Sequence, residues 1–288
     1  MRFAAVGDVM VDVLCSTLPA PSARLHGEVL LRAGGSAVNA AAAAAGSGAS
    51  AFVVGRIGSD PSGDLVAAGL HELGIEAHLA RDHVLPTGVA VVLAADTTTA
   101  SVVASRGANA RLSPEDIPDA VDADALLVSG FALFQSGSAA AARIALERFS
   151  GAWAGVDVAS PALAAVARDT DLRDAGTQGT VLLATAEEAK AMTGAGPEEA
   201  ARKLASQFSV ACVKLGAEGA LAASGDRVER RAADPVARRN PFGAGDAFGA
   251  ALLVALAAGD PLGRALERAC RAGARAAGAP RVGGRDAG

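Results

Sequence analysis

Apolar residues along the chain fall into short dense runs: Phe3–Val6, Ala51–Val54, Ala125–Val128, Ala154–Val158, Val181–Ala184 and Val210–Lys214. Compact runs without strict alternation belong to strands buried on both faces, as in a parallel sheet. Ala-rich stretches with helix-start signals lie between them. Asp60-Pro61 offers an N-cap with proline at the first helical position, and Gly74 stops that helix. Ser113-Pro114-Glu115-Asp116 reads as a capping box, and Asp260-Pro261 opens the last long helix. Repeated βα units predict an open, mostly parallel α/β sheet with right-handed crossovers. One region departs from the pattern. Thr87–Ala95 and Ala100–Ser105, joined through Asp96–Thr99, read as a β-hairpin. With Val9–Ser16 and Glu28–Arg32 they predict a small separate sheet, of the kind that serves as a lid or an interface.

Composition narrows the classes. With 51% apolar and 20% charged residues, the chain has ample material for a core, which excludes intrinsic disorder. A net charge of −5, with only three Lys among 26 basic residues, argues against a nucleic-acid partner. Cys15, Cys212 and Cys270 stand far apart with no CxxC, which fits a reducing cytoplasm. The N-terminal apolar stretch is broken by Asp8 and Asp12, unlike a signal peptide. The longest apolar run, Ala247–Ala258, is shorter than the roughly 20 residues of a membrane span. The expectation is a cytoplasmic protein with no membrane partner, in which residues 1–279 form a single domain and 280–288 a disordered tail.

Three segments carry candidate chemistry. Gly243-Ala244-Gly245-Asp246 precedes the apolar helical run 247–258. Glycines ahead of a helix leave its first N–H groups open to an anion, such as a phosphoryl group in transfer. A carboxylate that merely cradled phosphate would repel it, so Asp246 makes sense as the base for an attacking hydroxyl. As a plain helix N-cap it is equally well explained at this stage. Gly34-Gly35 and Asn39 let a ligand approach the backbone and offer it a donor and an acceptor, as a polyol needs. A helix start with Asn39 satisfied locally accounts for them too. Asp8 and Asp12 follow the first strand, at the carboxyl end where α/β ligands bind. Asp12 fits either sugar hydroxyls or a solvated turn.

Together these segments resemble the ribokinase-like, or PfkB, carbohydrate kinase family, from Gly7 to about Ala279. Gly34-Gly35 with Asn39, Gly48 and Gly58 is similar to its first signature. Gly55-Arg56-Ile57-Gly58-Ser59-Asp60 with Gly63 is similar to its GxxGxDxxG stretch. Val213-Lys214-Leu215-Gly216-Ala217-Glu218-Gly219 resembles its strand-turn-strand near the nucleotide, and Gly243–Asp246 resembles its GAGD motif. The resemblance implies a three-layer α/β sandwich, a mostly parallel central sheet and a small β lid with strands from about 9–33 and 86–106. It implies ATP- and magnesium-dependent phosphorylation of a sugar or nucleoside hydroxyl. By position, Asp246 would be the base and the N–H groups of Gly243, Ala244 and Gly245 the anion hole. Asp12, Gly34, Gly35 and Asn39 would contact substrate. Thr185, Lys214, Gly216 and Gly219 would lie by ATP, and the lid would offer a homodimer interface.

Two positions depart from the family. Asn240 stands where an Asp usually helps hold a monovalent cation, which leaves potassium use open. Thr185-Ala186-Glu187-Glu188 replaces the Asn-x-x-Glu that orders magnesium, so Glu188 would act through water. Both glutamates also read as ordinary first-turn helix carboxylates. Arg106 suits an anionic acceptor or simply closes a lid strand. The poverty in aromatics (no Tyr, one Trp) favours a sugar or sugar acid over a nucleoside. Phe131 and Phe134 read as pocket-lining or core residues. No GxxxxGK[ST] loop is present, and Gly46–Ala51 matches a dinucleotide pattern only in the reverse helix-to-strand order. His26, His71, His78 and His83 lack metal-ligand spacing. A non-catalytic sugar- or nucleotide-binding paralogue is the alternative from another class.

Overall fold

The first strand, β1 (Arg2–Val6), shows how the sheet is buried: Phe3 and Ala5 join one apolar core, Ala4 and Val6 another. Such an alternation requires helices on both faces. A computed structural model describes residues 1–15, 22, 24, 26–94, 100–168, 179–237 and 242–279. In chain order, β2 (Met10–Cys15), β3 (Val29–Gly34), α1 (Ser36–Ala45), β4 (Ser50–Gly58), α2 (Pro61–Glu72) and β5 (Glu76–Asp82) follow β1. Next come β6 (Gly88–Ala94), β7 (Ala100–Ser105), β8 (Ala125–Ser129), α3 (Gly130–Leu133), α4 (Ala139–Glu147), β9 (Trp153–Asp157) and α5 (Pro161–Arg168). The remainder is β10 (Gly179–Thr185), α6 (Ala186–Thr193), α7 (Pro197–Leu204), β11 (Val210–Lys214), β12 (Ala220–Ser224), β13 (Arg227–Arg231), α8 (Ala244–Ala257) and α9 (Leu262–Gly278).

The main sheet runs β13-β12-β11-β10-β9-β8-β1-β4-β5, parallel from β5 to β11 and antiparallel at the β12–β13 edge. Helices α1, α8 and α9 cover one face, and α4, α6 and α7 the other. This is the three-layer α/β architecture expected. Strand order reverses beside β1, and the carboxyl ends of β1 and β8 to β11 all open on one crevice, where ligands of such sheets bind. A second sheet, β3-β2-β6-β7, stands over that crevice.

The lid is fastened by the stretch around Asp60. Its carboxylate caps α2 through the Gly63 N–H (2.8 Å) and accepts from the N–H and hydroxyl of Thr87 (2.8 and 2.6 Å). Thr87 in turn accepts from the Gly58 N–H (2.9 Å). A Cβ at Gly58 or Gly63 would press on Thr87, so glycine at these positions lets β6 leave the body closely tied.

Three local expectations change. The capping box at Ser113 and Asp116 forms, but on the 3-10 turn Pro114–Asp116, because Ile117 precedes a proline and turns extended. Asp260 does not cap the last helix. Pro261 holds that position, and Asp260 instead pairs with Arg268 (2.9 Å). Strands β5 and β13 carry no dense apolar run, which hid them: β5 reads EAHLARD and β13 RVERR. Asp96–Thr99, Asn240 and 280–288 lie outside the described residues. Among the described residues no helix is long and apolar enough to cross a membrane.

Candidate active site

A cavity of about 640 Å³ lies between the lid and the carboxyl ends of the main strands. Residues far apart in sequence meet in its wall. Asp246 is not the N-cap of α8; Gly243 is, with φ +77°, which leaves Asp246 at the third helical position. The first N–H groups of α8 have no intrahelical acceptor and open at the cavity beside Gly243 and Gly245. Asn39 of α1 is not satisfied locally, since its Nδ2 donates to Asp246 Oδ2 across 207 positions (3.1 Å). Burial, reinforced by the Asp157 carboxylate, pushes Asp246 up to about 7 against the pull of Asn39 and Lys214. A carboxylate poised near neutrality is suited to taking a proton from a hydroxyl.

Lys214, at the end of β11, donates to Asp157 at the end of β9 (2.6 Å). Burial opposes the Lys214 charge, but Asp157 outweighs it and its pKa rises. Asp157 was missed by reading residues, although its signal was present: a carboxylate at the carboxyl end of a dense apolar run. Thr185 and Glu188 form a capping box on α6. The Glu188 carboxylate accepts from the Thr185 N–H (2.7 Å), and the Glu188 N–H donates to the Thr185 hydroxyl (3.2 Å). Glu188 is therefore a first-turn carboxylate, yet it also lines the cavity and is only 4% exposed. Burial raises its carboxyl above the usual range, against the Thr185 N–H.

Asp12 sits within β2, not in a solvated turn, and pairs with Arg32 of β3 (3.5 Å). Burial raises its carboxyl although Arg32 pulls the other way. Gly34 packs its backbone on the Asp12 carboxylate, where a Cβ would overlap. Gly35, with φ +92°, lies against the Asp8 carbonyl and opens on the cavity beside Asn39. Arg106 lines the cavity, but its guanidinium grips Asp8 (2.6 Å), Gln135 (3.1 Å) and Ser138 (3.2 Å). Buried Asn109 joins the same tie, exchanging hydrogen bonds with the backbone of Val9 (2.8 and 2.9 Å). Gly216 and Gly219 shape the turn after β11 with φ of +63° and +97°, away from the cavity wall.

Phe131 lines the cavity, while Phe134 is core. Among the described residues, no cluster of three or more His, Cys, Asp or Glu could cage a metal. One buried carboxylate, Glu188, suits magnesium, which keeps its waters and relies on phosphate oxygens for other ligands.

The pfkB family carbohydrate kinase model matches residues 2–283. No curated protein gives a significant match. Among solved structures, adenosine kinase from Sinorhizobium meliloti superposes with a TM-score of 0.82 at 21% identity, over 96% of this chain and 94% of that one. An Escherichia coli protein in complex with ATP and Mg2+ gives 0.80 at 19%, over 96% and 93%. Aminoimidazole riboside kinase from Salmonella enterica, complexed with aminoimidazole riboside and an ATP analogue, gives 0.77 at 21%, over 97% and 94%.

Proposed function

Because the chain belongs to the pfkB family of carbohydrate kinases, we propose that it transfers the γ-phosphate of ATP to a hydroxyl of a sugar or sugar-like acceptor. The observation that carries this reading is Asp246: a carboxylate raised to about 7, hydrogen-bonded to Asn39 and set two residues beyond the glycine-capped start of α8. The acceptor lies against Asp12, Gly35 and Asn39, and Asp246 takes the proton of the attacking hydroxyl. The N–H groups of Gly243, Ala244 and Gly245 receive the charge that grows on the phosphoryl oxygens. Lys214 supplies positive charge beside them. ATP occupies the side bounded by Thr185, Lys214 and the Gly216–Gly219 turn, and Glu188 holds magnesium through water. The lid excludes water that would otherwise hydrolyse ATP.

Pairing of two lids belongs to the same reading. Leu31, Val13, Val91 and Val103 form one row on the lid face turned from the cavity; Val13 packs on the main core, while Leu31 and Val103 are 52% and 69% exposed. Sedimentation analysis tests it, with a monomer at micromolar concentration as the result against.

ADP release with ATP and magnesium, across sugars and nucleosides, with and without potassium, tests the activity. Asp246→Asn is expected to lower kcat by roughly 1,000-fold while ATP affinity changes little. Equal turnover in the variant would remove Asp246 from the reaction, and failure of ATP to bind would end the kinase reading. The potassium arm reports on Asn240.

A further inference from the structure

The lid joins the body at four crossings, and all four meet around one buried side chain. Val9 lies between β1 and β2, where the chain leaves the main sheet for the lid. Its N–H donates to Asn109 Oδ1 (2.9 Å), and its carbonyl accepts from Asn109 Nδ2 (2.8 Å). Asn109 is 2% exposed and sits 100 positions away on the 3-10 turn Gly107–Arg111, just after β7 leaves the lid. Its Nδ2 also donates to the Arg106 carbonyl (3.0 Å). At the start of β6, the Pro86 carbonyl accepts from the Ala108 N–H (2.8 Å). Gly88 there leaves room for the amide, since a Cβ would stand 2.7 Å from Asn109 Nδ2. The end of β3 arrives through Asp8, whose carbonyl lies against Gly35 and accepts from the Ala37 N–H of α1 (3.4 Å).

Only a short primary amide does this work. It offers a donor and an acceptor at one reach, so it pairs with both polar groups of Val9 as a neighbouring strand would. Aspartate keeps the acceptor and loses the donor, and an aliphatic residue leaves both backbone groups of buried Val9 unpaired. The residues on either side of Val9 lead to the site. Asp12 follows three residues later on β2, and Asp8 seats the start of α1, which brings Asn39 to Asp246. Asn109 itself does not line the cavity, so it acts through these neighbours. A shift of about 1 Å between the acceptor's contacts and the base would cost roughly 100-fold in rate.

Resting on the kinase reading above, we propose that Asn109 is a positioning residue: by clamping Val9 it seats the lid and fixes Asp12 relative to Asp246. Without the clamp, ATP still binds to the body, but the acceptor is misaligned and water enters. Water then attacks the γ-phosphorus in place of the acceptor hydroxyl, passes its proton to Asp246, and gives ADP and inorganic phosphate.

The test compares wild type with Asn109→Ala and with Gly88→Ala, which keeps the amide but presses a methyl group on it. ADP release is measured with D-ribose, D-fructose or adenosine, and with no acceptor. Asn109→Ala should raise the KM of the acceptor that wild type uses by about tenfold or more, while the KM of ATP stays within about threefold. ADP release without acceptor, relative to release with it, should rise by about tenfold or more. Gly88→Ala should shift both quantities in the same direction. A merely structural role would lower only the amount of folded enzyme, so unchanged KM values and an unchanged ratio in Asn109→Ala overturn the proposal. If that variant does not fold by circular dichroism, Gly88→Ala decides on the same readouts. If wild type releases no ADP with any of the three acceptors, the result counts against the kinase reading, and hydrogen exchange decides the clamp. Amides of β2 and β6 should then exchange about 100-fold faster in the folded variant, with those of β10 and β11 as in wild type. Equal acceleration in the lid and the main sheet, or none in either, refutes it.

Discussion

Two cation–carboxylate pairs of the same length face the cavity, and they are connected differently. Arg106–Asp8 and Lys214–Asp157 both close at 2.6 Å with little exposure. Arg106 also holds Gln135, Ser138 and the Asn109 carbonyl, so its planar fork is saturated by the β1–β2 turn, the turn after β7 and the segment before α4. Lys214 has a single hydrogen-bond acceptor among the described residues and reaches Gly245 and Asp246. A donor surrounded by protein acceptors is a structural tie. One with spare donors beside a raised carboxyl has donors left for a ligand, as the proposed kinase role of Lys214 requires. Distance alone does not separate the two.

The sharpest way to break this contrast is Arg106→Ala, which strands Asp8 and should cost about 3–5 kcal/mol of stability, read from urea unfolding. If stability barely changes, the lid is not held by that tie. Lys214→Ala should instead lower kcat/KM by about 100-fold, with a smaller loss of stability, measured by ADP release and unfolding side by side. A purely structural lysine would show the reverse order.

Asp246→Asn refines the chemical half through stability. The native carboxyl is raised to about 7, so the protein is stabilised below the ordinary carboxylate range and loses that contribution as pH rises through 7. The variant should therefore gain on the order of 1–2 kcal/mol over wild type at pH 8 and almost nothing at pH 4, since the site also opens on solvent. The smallest effect concerns the acid limb of kcat/KM, expected near pH 7 because the base must be ionised. Asp157→Asn removes a like charge and leaves Lys214 nearer in effect to Asp246, so the limb should move to lower pH. A limb that stays in place would detach Asp157 from the tuning of Asp246.

Much of the architecture was legible because it rests on local patterns. The dense runs at Val210–Lys214 and Ala125–Val128 became central strands, and the hairpin beginning near Thr87 became half of the lid. Polar edge strands were not legible, since β5 and β13 pair at the margin and need no apolar run. The site was legible in part. Asp246, Asp12 and Asn39 were named from glycine-rich turns and strand ends, and Lys214 from the family resemblance, and all line one cavity. Asp157 was passed over as part of a strand, and Thr185–Glu188 was read against a magnesium motif although it also spells a capping box.

By itself the sequence determined which strands are buried on both faces, where glycine must sit, and which carboxylates stand at strand or helix ends. These follow from periodicity and backbone sterics, which are properties of a few neighbouring residues. Only the tertiary structure decided the partners. Asn39 meets Asp246, Lys214 meets Asp157, and Arg106 is consumed by Asp8. Desolvation and Coulomb interaction depend on what lies within a few ångströms in space, and the chain brings those groups together from opposite ends only when the sheet and its lid have closed.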